Sequence, residues 1–295
     1  MNEQAQPLVS VICLCYNQQD YVVAAMESVL GQDYPNIELI VVDDASRDDS
    51  RQVIAAYLQE HPQVQFIPLA ENAGNCRAFN VGWRASSGDY IIDLAADDML
   101  LPGRAGAGVR RFRQAGPGFG VNFTDAQLID RDGRLLGQHL TGDFFSDGRV
   151  PEGYIFTELL AKYFINPVTM MYSREMLDFL GGYDESLAYE DFDLWVRSAK
   201  KFKYCYSPGV LVAKRKLAGS HGHGQYRPGS AILASTLKVC KKALPLCTAK
   251  GEYQALLARI RYEMKMAFFS FNWPVALGFL RLQRQVRLAI SAAGF

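Results

Sequence analysis

The chain has 295 residues, of which 49% are hydrophobic, and it carries 31 Lys and Arg against 31 Asp and Glu. This composition excludes a disordered protein and suffices for one large or two modest hydrophobic cores, so we expect a globular protein. From residue 221 onward eleven basic residues stand against two acidic ones, so an acidic body is followed by a basic tail. We predict no nucleic-acid partner.

The cysteine pattern and the chain's apolar runs bear on where the protein works. The six cysteines form no CxxC pair, which is typical of reduced thiols in a cytoplasmic protein. The first ten residues do not have the pattern of a signal peptide. The uncharged run 266–280 contains Asn272 and Pro274 and is too short to span a bilayer. We therefore predict a cytoplasmic protein, either free or peripheral on the inner face of the membrane.

Short apolar runs alternate with helical patterns over the first hundred residues. The runs at 8–14, 37–42, 64–68 and 90–94 predict strands, and the segments 20–31, 50–60 and 75–86 between them predict helices. Near-continuous apolar strands such as VSVICL indicate a parallel sheet covered by helices on both faces. In such a sheet, ligands bind beyond the carboxyl ends of the strands.

Polar residues follow each predicted strand at that edge. They are Tyr16 and Asn17, then Asp43 to Ser46, then residues 71–75, and finally Asp97 and Asp98. Ser, Asp and Asn also cap helices, and for Ser46, Asp48, Asp49 and Ser50 we favour capping. For Asp97 and Asp98 we favour a site, because adjacent carboxylates repel and one suffices for a cap. Two carboxylates at a strand end suit Mg²⁺ or Mn²⁺ bridging a diphosphate.

The second half adds a further pair of acids and a basic tail. Residues 189–201, YEDFDLWVRSAKK, have helical spacing and begin with Glu190 and Asp191, which could also simply complement the helix dipole. In the tail, residues 230–247 and 252–290 are predicted helices. An apolar stripe there could lie on an anionic membrane, pack on the acidic body or contact a second copy, and these alternatives stay open. The stripe consists of Val275, Phe279, Leu282, Val286, Ala289 and Ile290, beside Arg281, Arg284 and Arg287.

Three motifs in order carry a resemblance that covers about residues 8–216. They are VSVICLCYNQQDYVVAAMESVLGQDYPNIELIVVDDASRDDS, ENAGNCRAFNVGWRASSGDYIIDLAADDML and GGYDESLAYEDFDLWVRSA. Together they resemble family 2 glycosyltransferases. The resemblance implies the GT-A fold, an α/β fold with a mostly parallel central sheet flanked by helices. We predict a GT-A catalytic domain over 1–220, with a nucleotide-binding half over about 1–100 and an acceptor half over about 101–220, followed by a basic helical extension over 221–295.

The same resemblance implies an activity and residue roles. Such enzymes transfer a sugar, with inversion, from a nucleotide-diphosphate sugar, here with a UDP-sugar favoured, usually with Mg²⁺ or Mn²⁺. Tyr16 and Asn17 would lie at the nucleotide, and Asp44 would hydrogen-bond the base. Asp97 would contact the ribose or diphosphate beside the metal, which Asp98 would hold. Asp191 would be the general base, with Glu190 setting its environment.

The sequence also departs from the family pattern. Ala95 replaces the first acid of the usual Asp-x-Asp-Asp, and Leu217 replaces a metal-side histidine. Phe79 stands where an arginine is frequent, so Arg77 is either a phosphate partner or an ordinary surface arginine. His221 and His223 are either substitute metal ligands or part of an exposed loop.

We therefore predict an inverting glycosyltransferase that acts on a saccharide or lipid-linked acceptor in cell-surface polysaccharide synthesis. The alternative is a nucleotide-sugar-binding protein without turnover, which the changes at 95 and 217 suggest. A sugar-phosphate nucleotidyltransferase is disfavoured because the first strand leads into CYNQQ and not into a glycine-rich, arginine-bearing loop. A processive membrane synthase is disfavoured because the sequence contains no predicted spanning segment.

Overall fold

A computed structural model describes residues 6–217 and 224–295. Their contacts divide the chain into two compact units. The first contains Met1–Gly153, Ile165–Glu185 and Phe202–Lys216, and the second contains Tyr154–Phe164, Ser186–Lys201 and Leu217–Phe295. Two segments that precede residue 220 thus group with the C-terminal helices. The predicted functional division at residue 220 stays a prediction.

The first unit is built on a nine-stranded sheet in the described part of the chain. Its order is β3-β2-β1-β4-β8-β6-β9-β5, with β7 paired to β6. The strands are β1 (Val9–Cys15), β2 (Ile37–Asp43), β3 (Gln65–Pro68), β4 (Tyr90–Ala95), β5 (Met99–Leu100), β6 (Phe119–Ile129), β7 (Leu135–His139), β8 (Met171–Ser173) and β9 (Lys203–Arg215).

The sheet changes character between its two halves. Strands β1 to β4 are the four that the alternating pattern predicts, and their mutual pairings are all parallel. The second half is mixed, because β8 runs antiparallel to β4 and β6, β7 runs antiparallel to β6, and β5 runs antiparallel to β9. Strand β9 returns parallel to β6. The carboxyl ends of β1, β2 and β4 therefore share one edge, as predicted.

Ten α-helices are present in the described residues. They are α1 (Val22–Leu30), α2 (Ser50–Tyr57), α3 (Asn75–Ala85), α4 (Arg104–Ala115), α5 (Phe156–Ala161), α6 (Arg174–Leu180), α7 (Asp191–Ser198), α8 (Ala231–Ala243), α9 (Lys250–Phe269) and α10 (Trp273–Ala292). Helices α1 to α4 and α6 belong to the first unit. Its core joins apolar residues of the strands, such as Val11 and Ile92, to those of the helices, such as Met26 and Val109.

The second unit is helical and consists of α5 and α7 to α10. Arg259, in the middle of α9, is only 6% exposed. Its guanidinium lies 3.9 Å from the ring centroid of Tyr163. Arg259 also donates to the carbonyl of Leu160 at 3.0 Å and pairs with the fully buried Glu263 at 3.4 Å. This packing ties α5 to α9, since a buried cation is stable only with such partners.

Helix α10 buries three of the six residues of the apolar stripe that the sequence indicates. Phe279, Leu282 and Val286 are at most 1% exposed, and α10 contacts α8 and α9. Val275, Ala289 and Ile290 are partly buried. The centre of the stripe therefore belongs to the core of the second unit. Across residues 6–217 and 224–295, no helix is both long enough and apolar enough to cross a membrane.

Candidate active site

Asp97 and Asp98 lie in a turn between β4 and β5 that is held on both sides. The backbone N–H of Ala96 donates to the carbonyl of Leu14 on β1, and that of Asp98 donates to the carbonyl of Ala95, each at 2.9 Å. Strand β5 then pairs with β9 through Met99 and Ala213. The turn is thus fixed at the carboxyl edge of the sheet, and Asp98 is only 3% exposed.

Burial raises the pKa of both carboxyl groups in this turn. Burial, and then the charge of Asp97, raise the pKa of Asp98 to about 7, although the N–H of Arg215 donates to Asp98 Oδ1 at 2.8 Å and opposes the rise. Burial likewise raises the pKa of Asp97, against its own backbone hydrogen bond and the charges of Lys214 and Arg215. The charged form of both carboxyls is therefore disfavoured at this place, and a cation beside them would favour it.

The end of β9 brings basic residues to this turn, which the sequence reasoning missed. Arg215 donates through Nε to the carbonyl of Asp97 at 3.0 Å, and through Nη1 to the carbonyls of Asp130 and Arg131. Its guanidinium also lies 4.5 Å from the ring centroid of Tyr21. Burial and the neighbouring Lys214 lower the pKa of Lys216, while Asp98 raises it. The signal in the sequence is the run of three basic residues at the end of the strand, Lys214 to Lys216.

The loops after β1 and β2 are joined by side-chain hydrogen bonds. The N–H of Asn17 donates to Ser46 Oγ at 2.9 Å, and the N–H of Arg47 donates to Asn17 Oδ1 at 2.8 Å. Asn17 has a φ of 56°, a left-handed conformation that asparagine tolerates. Asn17 is therefore placed beside the β2 loop at the predicted edge. Tyr16 precedes it and is 41% exposed.

Ser50 and Asp48 extend this connection. Ser50 Oγ accepts from the N–H of Gln18 at 3.0 Å, and Asp48 Oδ2 accepts from the N–H of Gln19 at 3.1 Å. Asp49, which directly precedes α2, makes no capping hydrogen bond with its side chain. Asp48 Oδ1 also accepts from the N–H of Ser50, the first residue of α2, at 3.1 Å. Asp48 therefore satisfies a donor at the start of the helix and also joins the two loops.

Asp44 is 6% exposed and organises the loop after β3. Its Oδ1 accepts from the N–H of Ala73 at 2.6 Å, and its Oδ2 accepts from the N–H of Gly74 and the side-chain amide of Asn72, each at 3.0 Å. A carboxylate has about four acceptor sites, so these three bonds leave little capacity for a nucleobase. The role predicted for Asp44 at the base stays a prediction.

The remaining predicted donor-side residues are less constrained. The side chain of Arg77 is 55% exposed and lies 4.0 Å from Glu71, itself 82% exposed. Such a loose surface pair contributes little to stability, so Arg77 is available to a ligand. His221 and His223 lie outside the described residues.

Glu190 and Asp191 belong to the second unit, where α7 begins. Asp191 is its first residue, and its Oδ1 accepts from the N–H of Phe192 at 2.6 Å. Burial first, and then neighbouring charges that include Asp191, raise the pKa of Tyr163 and Tyr189. The hydroxyl of Tyr189 lies 2.8 Å from Thr236 Oγ1 on α8. The acid pair is thus set among aromatic rings at the start of a helix.

The side chains of the Asp97–Asp98 turn can be compared with the ligands that a divalent cation requires. Among residues 6–217 and 224–295, no three His, Cys, Asp or Glu residues form a group that could hold a metal ion. The carboxylates of the buried Asp98 and the partly buried Asp97 nevertheless offer the hard oxygen ligands that Mg²⁺ and Mn²⁺ prefer. The pair therefore fits a cation that takes the rest of its ligands from phosphate oxygens and water, as Mg²⁺ usually does.

The sequence matches the model of a known protein family. The model of the family described as "Glycosyl transferase family 2" matches residues 10–180, which is more than half of the chain. The chain belongs to glycosyl transferase family 2. The predicted family is therefore confirmed.

Two relatives illustrate the range of the family. The putative teichuronic acid biosynthesis glycosyltransferase TuaG of Bacillus subtilis is 26% identical over 215 residues, which are 73% of this chain and 81% of that protein. Chondroitin synthase of Escherichia coli is 27% identical over 208 residues, which are 68% of this chain but only 29% of that protein. This chain thus spans less than a third of the length of chondroitin synthase.

Solved structures show the fold. The mannosyltransferase PcManGT from Pyrobaculum calidifontis, in complex with GDP-Man and Mn²⁺, has a TM-score of 0.65 at 19% identity and covers 99% of this chain and 77% of its own. Residues 1–349 of S. aureus TarS, in complex with UDP-GlcNAc, have a TM-score of 0.68 at 17% identity and cover 95% and 79%. The predicted GT-A fold, including C-terminal helices, is confirmed.

Proposed function

We propose that the protein transfers a sugar from a nucleotide-diphosphate sugar to a hydroxyl acceptor, with inversion, in cell-surface polysaccharide synthesis. The observation that carries this proposal is the Asp97–Asp98 turn, with Asp98 buried, at the carboxyl edge of the sheet in a chain of glycosyl transferase family 2. The names of its relatives, which include a teichuronic acid and a succinoglycan biosynthesis protein, support the polysaccharide assignment.

Asp97 and Asp98 would hold Mg²⁺ or Mn²⁺ together with the donor diphosphate. When bound, such an ion offsets the negative charge that develops on the leaving diphosphate. Lys214 and Lys216 are the chain's own positive charges near this turn, and they would assist in neutralising the diphosphate. The complex of PcManGT with GDP-Man and Mn²⁺ supports a divalent cation as the cofactor.

Asp191 would accept the proton of the acceptor hydroxyl. As that oxygen forms its bond to the anomeric carbon, the bond from this carbon to the diphosphate oxygen breaks, and the nucleoside diphosphate leaves. Glu190, directly before Asp191, would tune its basicity. Since α7 begins at Asp191, the carboxylate has a fixed backbone position from which to act.

The nucleotide would lie along the loops after β1 and β2. Tyr16 offers an exposed aromatic face, Asn17 is held by Ser46 and Arg47, and Asp44 fixes the adjacent loop while keeping limited capacity for the base. Arg77 is the candidate phosphate contact. We favour a UDP-sugar, which the TarS complex with UDP-GlcNAc supports, although PcManGT binds GDP-Man. The acceptor would be a saccharide or a lipid-linked saccharide on the cytoplasmic side of the membrane.

A second candidate is a nucleotide-sugar-binding protein without turnover. Ala95 and Leu217 favour it because both replace residues expected on the metal side of the site. It shares the donor site of the first candidate but not the proton transfer.

A panel of UDP-, GDP- and other nucleotide sugars, with and without Mn²⁺, distinguishes the candidates. Ligands that bind only the folded protein raise its melting temperature, so the panel identifies the donor by thermal shift. Release of nucleoside diphosphate is then measured with that donor, with and without saccharide acceptors. Turnover supports the transferase, whereas a thermal shift with neither hydrolysis nor transfer supports the binding protein.

A further inference from the structure

The turn between α9 and α10 exposes a cluster of large apolar side chains. This cluster, here called the hairpin tip, consists of Phe268, Phe269, Phe271, Trp273 and Leu277, which are 46–67% exposed. Beside it, a cavity of about 500 Å³ lies between the helices, lined by residues that include Met264, Lys265, Phe269 and Leu280. A contiguous exposed apolar patch of this kind marks an interaction surface. The patch is distinct from the buried stripe of Phe279, Leu282 and Val286.

Phe271 is held in an unfavourable conformation with its ring in solvent. Its φ is 59°, in the left-handed region that a bulky side chain rarely adopts, and its side chain is 67% exposed. Glycine or asparagine would suit this position at a helix end better. Packing inside the unit does not account for a phenylalanine that is both strained and exposed. Such an outlier points to a function of the side chain.

The turn that presents Phe271 is rigid. Asn272 donates through Nδ2 to Ser270 Oγ at 2.8 Å and to the carbonyl of Arg227 at 2.9 Å, and its Oδ1 accepts from the N–H of Gly229 at 2.8 Å. The N–H of Asn272 donates to the carbonyl of Ala267 at 2.9 Å. The strained conformation is therefore imposed by a network around Asn272. The ring of Phe271 stays largely exposed and contacts the Trp273 ring edge-on, with 6.0 Å between the ring centroids.

The segment that contains the hairpin tip, residues 264–295, carries charge of one sign. The sequence after Glu263 contains no Asp or Glu up to residue 295, but it contains Lys265, Arg281, Arg284 and Arg287. Lys265 lines the cavity, and its Nζ lies 6.0 Å from the ring centroid of Phe269. Phenylalanine and tryptophan beside lysine and arginine are typical of segments that enter the interface of an anionic membrane.

We propose that the hairpin tip inserts into the interfacial region of an anionic lipid bilayer. The aromatic rings would enter the boundary between headgroups and acyl chains, and Lys265 beside them would meet anionic headgroups. The arginines farther along α10 would add longer-range attraction to the anionic surface without contacting it. A second copy of the chain is a poorer occupant. A two-fold contact would place this surface against itself and bring its positive charges together with no carboxylate from residues 264–295 to neutralise them.

Phe271→Gly tests the proposal because it separates membrane binding from folding. Glycine relieves the left-handed strain, so the melting temperature should stay the same or rise. The loss of a ring that is buried only in lipid should lower the partition coefficient onto phosphatidylglycerol-containing vesicles roughly tenfold. Phe269→Ser should lower vesicle binding similarly. Cosedimentation of the full chain with anionic and with pure phosphatidylcholine vesicles measures both effects.

The matched control is Leu288→Ser on the same helix. Leu288 is 71% exposed but lies outside the hairpin tip, so its replacement should leave vesicle binding unchanged. Donor hydrolysis measured without vesicles should be the same in all three variants, which keeps this test independent of the proposed transfer. The proposal is overturned if the wild type does not bind anionic vesicles or if Phe271→Gly binds as tightly as the wild type. It is also overturned if Leu288→Ser loses as much binding as Phe271→Gly, or if the wild type is a dimer that Phe271→Gly dissociates.

Discussion

At the scale of single residues, the site rests on a carboxylate pair that folding alone does not explain. Asp98 is almost fully buried beside Asp97, and its side chain accepts a hydrogen bond from the N–H of Arg215. A buried carboxylate without full compensation weakens the fold, because its charged form is costly away from water. Such a residue is therefore expected to have its use in binding.

We expect Asp98→Asn to abolish most Mn²⁺-dependent donor binding while leaving the melting temperature of the unliganded protein unchanged or higher. Asparagine keeps an oxygen to accept from Arg215 N–H but removes the charge that a cation needs. Donor titrations with and without Mn²⁺, followed by thermal shift, measure the effect. Unchanged Mn²⁺ dependence in this variant would remove Asp98 from the metal site.

Asp93→Asn is the matched control on the same strand. Asp93 Oδ2 accepts from the hydroxyl of Tyr183 at 2.9 Å, which gives this carboxylate a structural role. We expect Asp93→Asn to leave the Mn²⁺ dependence intact, and a loss equal to that of Asp98→Asn would instead make Asp93 a substitute for the missing acid at Ala95.

Asp191→Asn should lower the transfer rate roughly 10²–10⁴-fold, the usual contribution of a positioned general base. Donor affinity should remain nearly unchanged, because the proposed donor residues are on other loops. Single-turnover transfer, together with donor binding, measures the two quantities separately. Near-normal turnover in this variant would show that another group takes the proton.

The neighbouring Asp193 provides the control for a structural effect on α7. It is 1% exposed and pairs with Arg197 at 2.6 Å and with Lys242 at 2.5 Å. Asp193→Asn should lower the melting temperature, because it leaves two cations without their partner. If Asp191→Asn lowered the melting temperature in the same way, its loss of activity would be structural.

At the scale of secondary-structure elements, a strand can be predicted from the sequence where a local residue pattern determines it. The strands β1 to β4 are apolar and separated by helical periods, so the alternation predicts them and the edge where Asn17, Asp44 and Asp98 lie. The second half follows no such alternation, since β8 has three residues and β9 has thirteen, and their partners are distant in sequence. The basic residues beside Asp98 were missed for this reason: only the pairing of β5 with β9 brings them there.

Gly181 and Gly182 show the same limit. Gly182 is in close contact with the first unit's own core, which no local sequence pattern shows. A Cβ on Gly182 would clash with Asn80 Oδ1 and would lie 2.9 Å from the ring of Trp83. Asn80 in turn accepts from the N–H of Tyr183 at 2.8 Å and donates to its carbonyl at 2.9 Å. Close packing against α3 therefore explains this glycine.

Gly182→Ala should destabilise the protein more than Gly181→Ala does. Both glycines have positive φ values, 71° and 80°, so each substitution costs about 1–2 kcal/mol from the backbone. Only Gly182 has neighbours within 4 Å of the added Cβ, which adds about 1–3 kcal/mol from overpacking. Urea unfolding of both variants measures the difference, and equal destabilisation would contradict the packing explanation.

At the scale of the whole molecule, each of the two compact units is assembled from three segments that are separate in the sequence. The segments 154–164 and 186–201 leave the sheet-bearing unit and join the C-terminal helices, so the residue proposed as the base shares a unit with the basic tail. The contacts of Arg259 with Tyr163 and Leu160 pack α9 against α5, and α8 contacts α7. The helices after residue 230 therefore share a packed core with α5 and α7.

Truncation after Ser270 should therefore lower the melting temperature strongly. It removes α10, whose Phe279, Leu282 and Val286 are buried against α8 and α9. Burial of one such side chain contributes about 1.5–3 kcal/mol, so three account for roughly 5–9 kcal/mol, a large part of the about 5–15 kcal/mol that stabilises a typical protein. Thermal unfolding and sedimentation velocity of the truncated chain measure the loss as early melting and aggregation. A truncated protein that remains monomeric with an unchanged melting temperature would contradict this prediction. It would show that the burial of Phe279, Leu282 and Val286 does not stabilise the second unit.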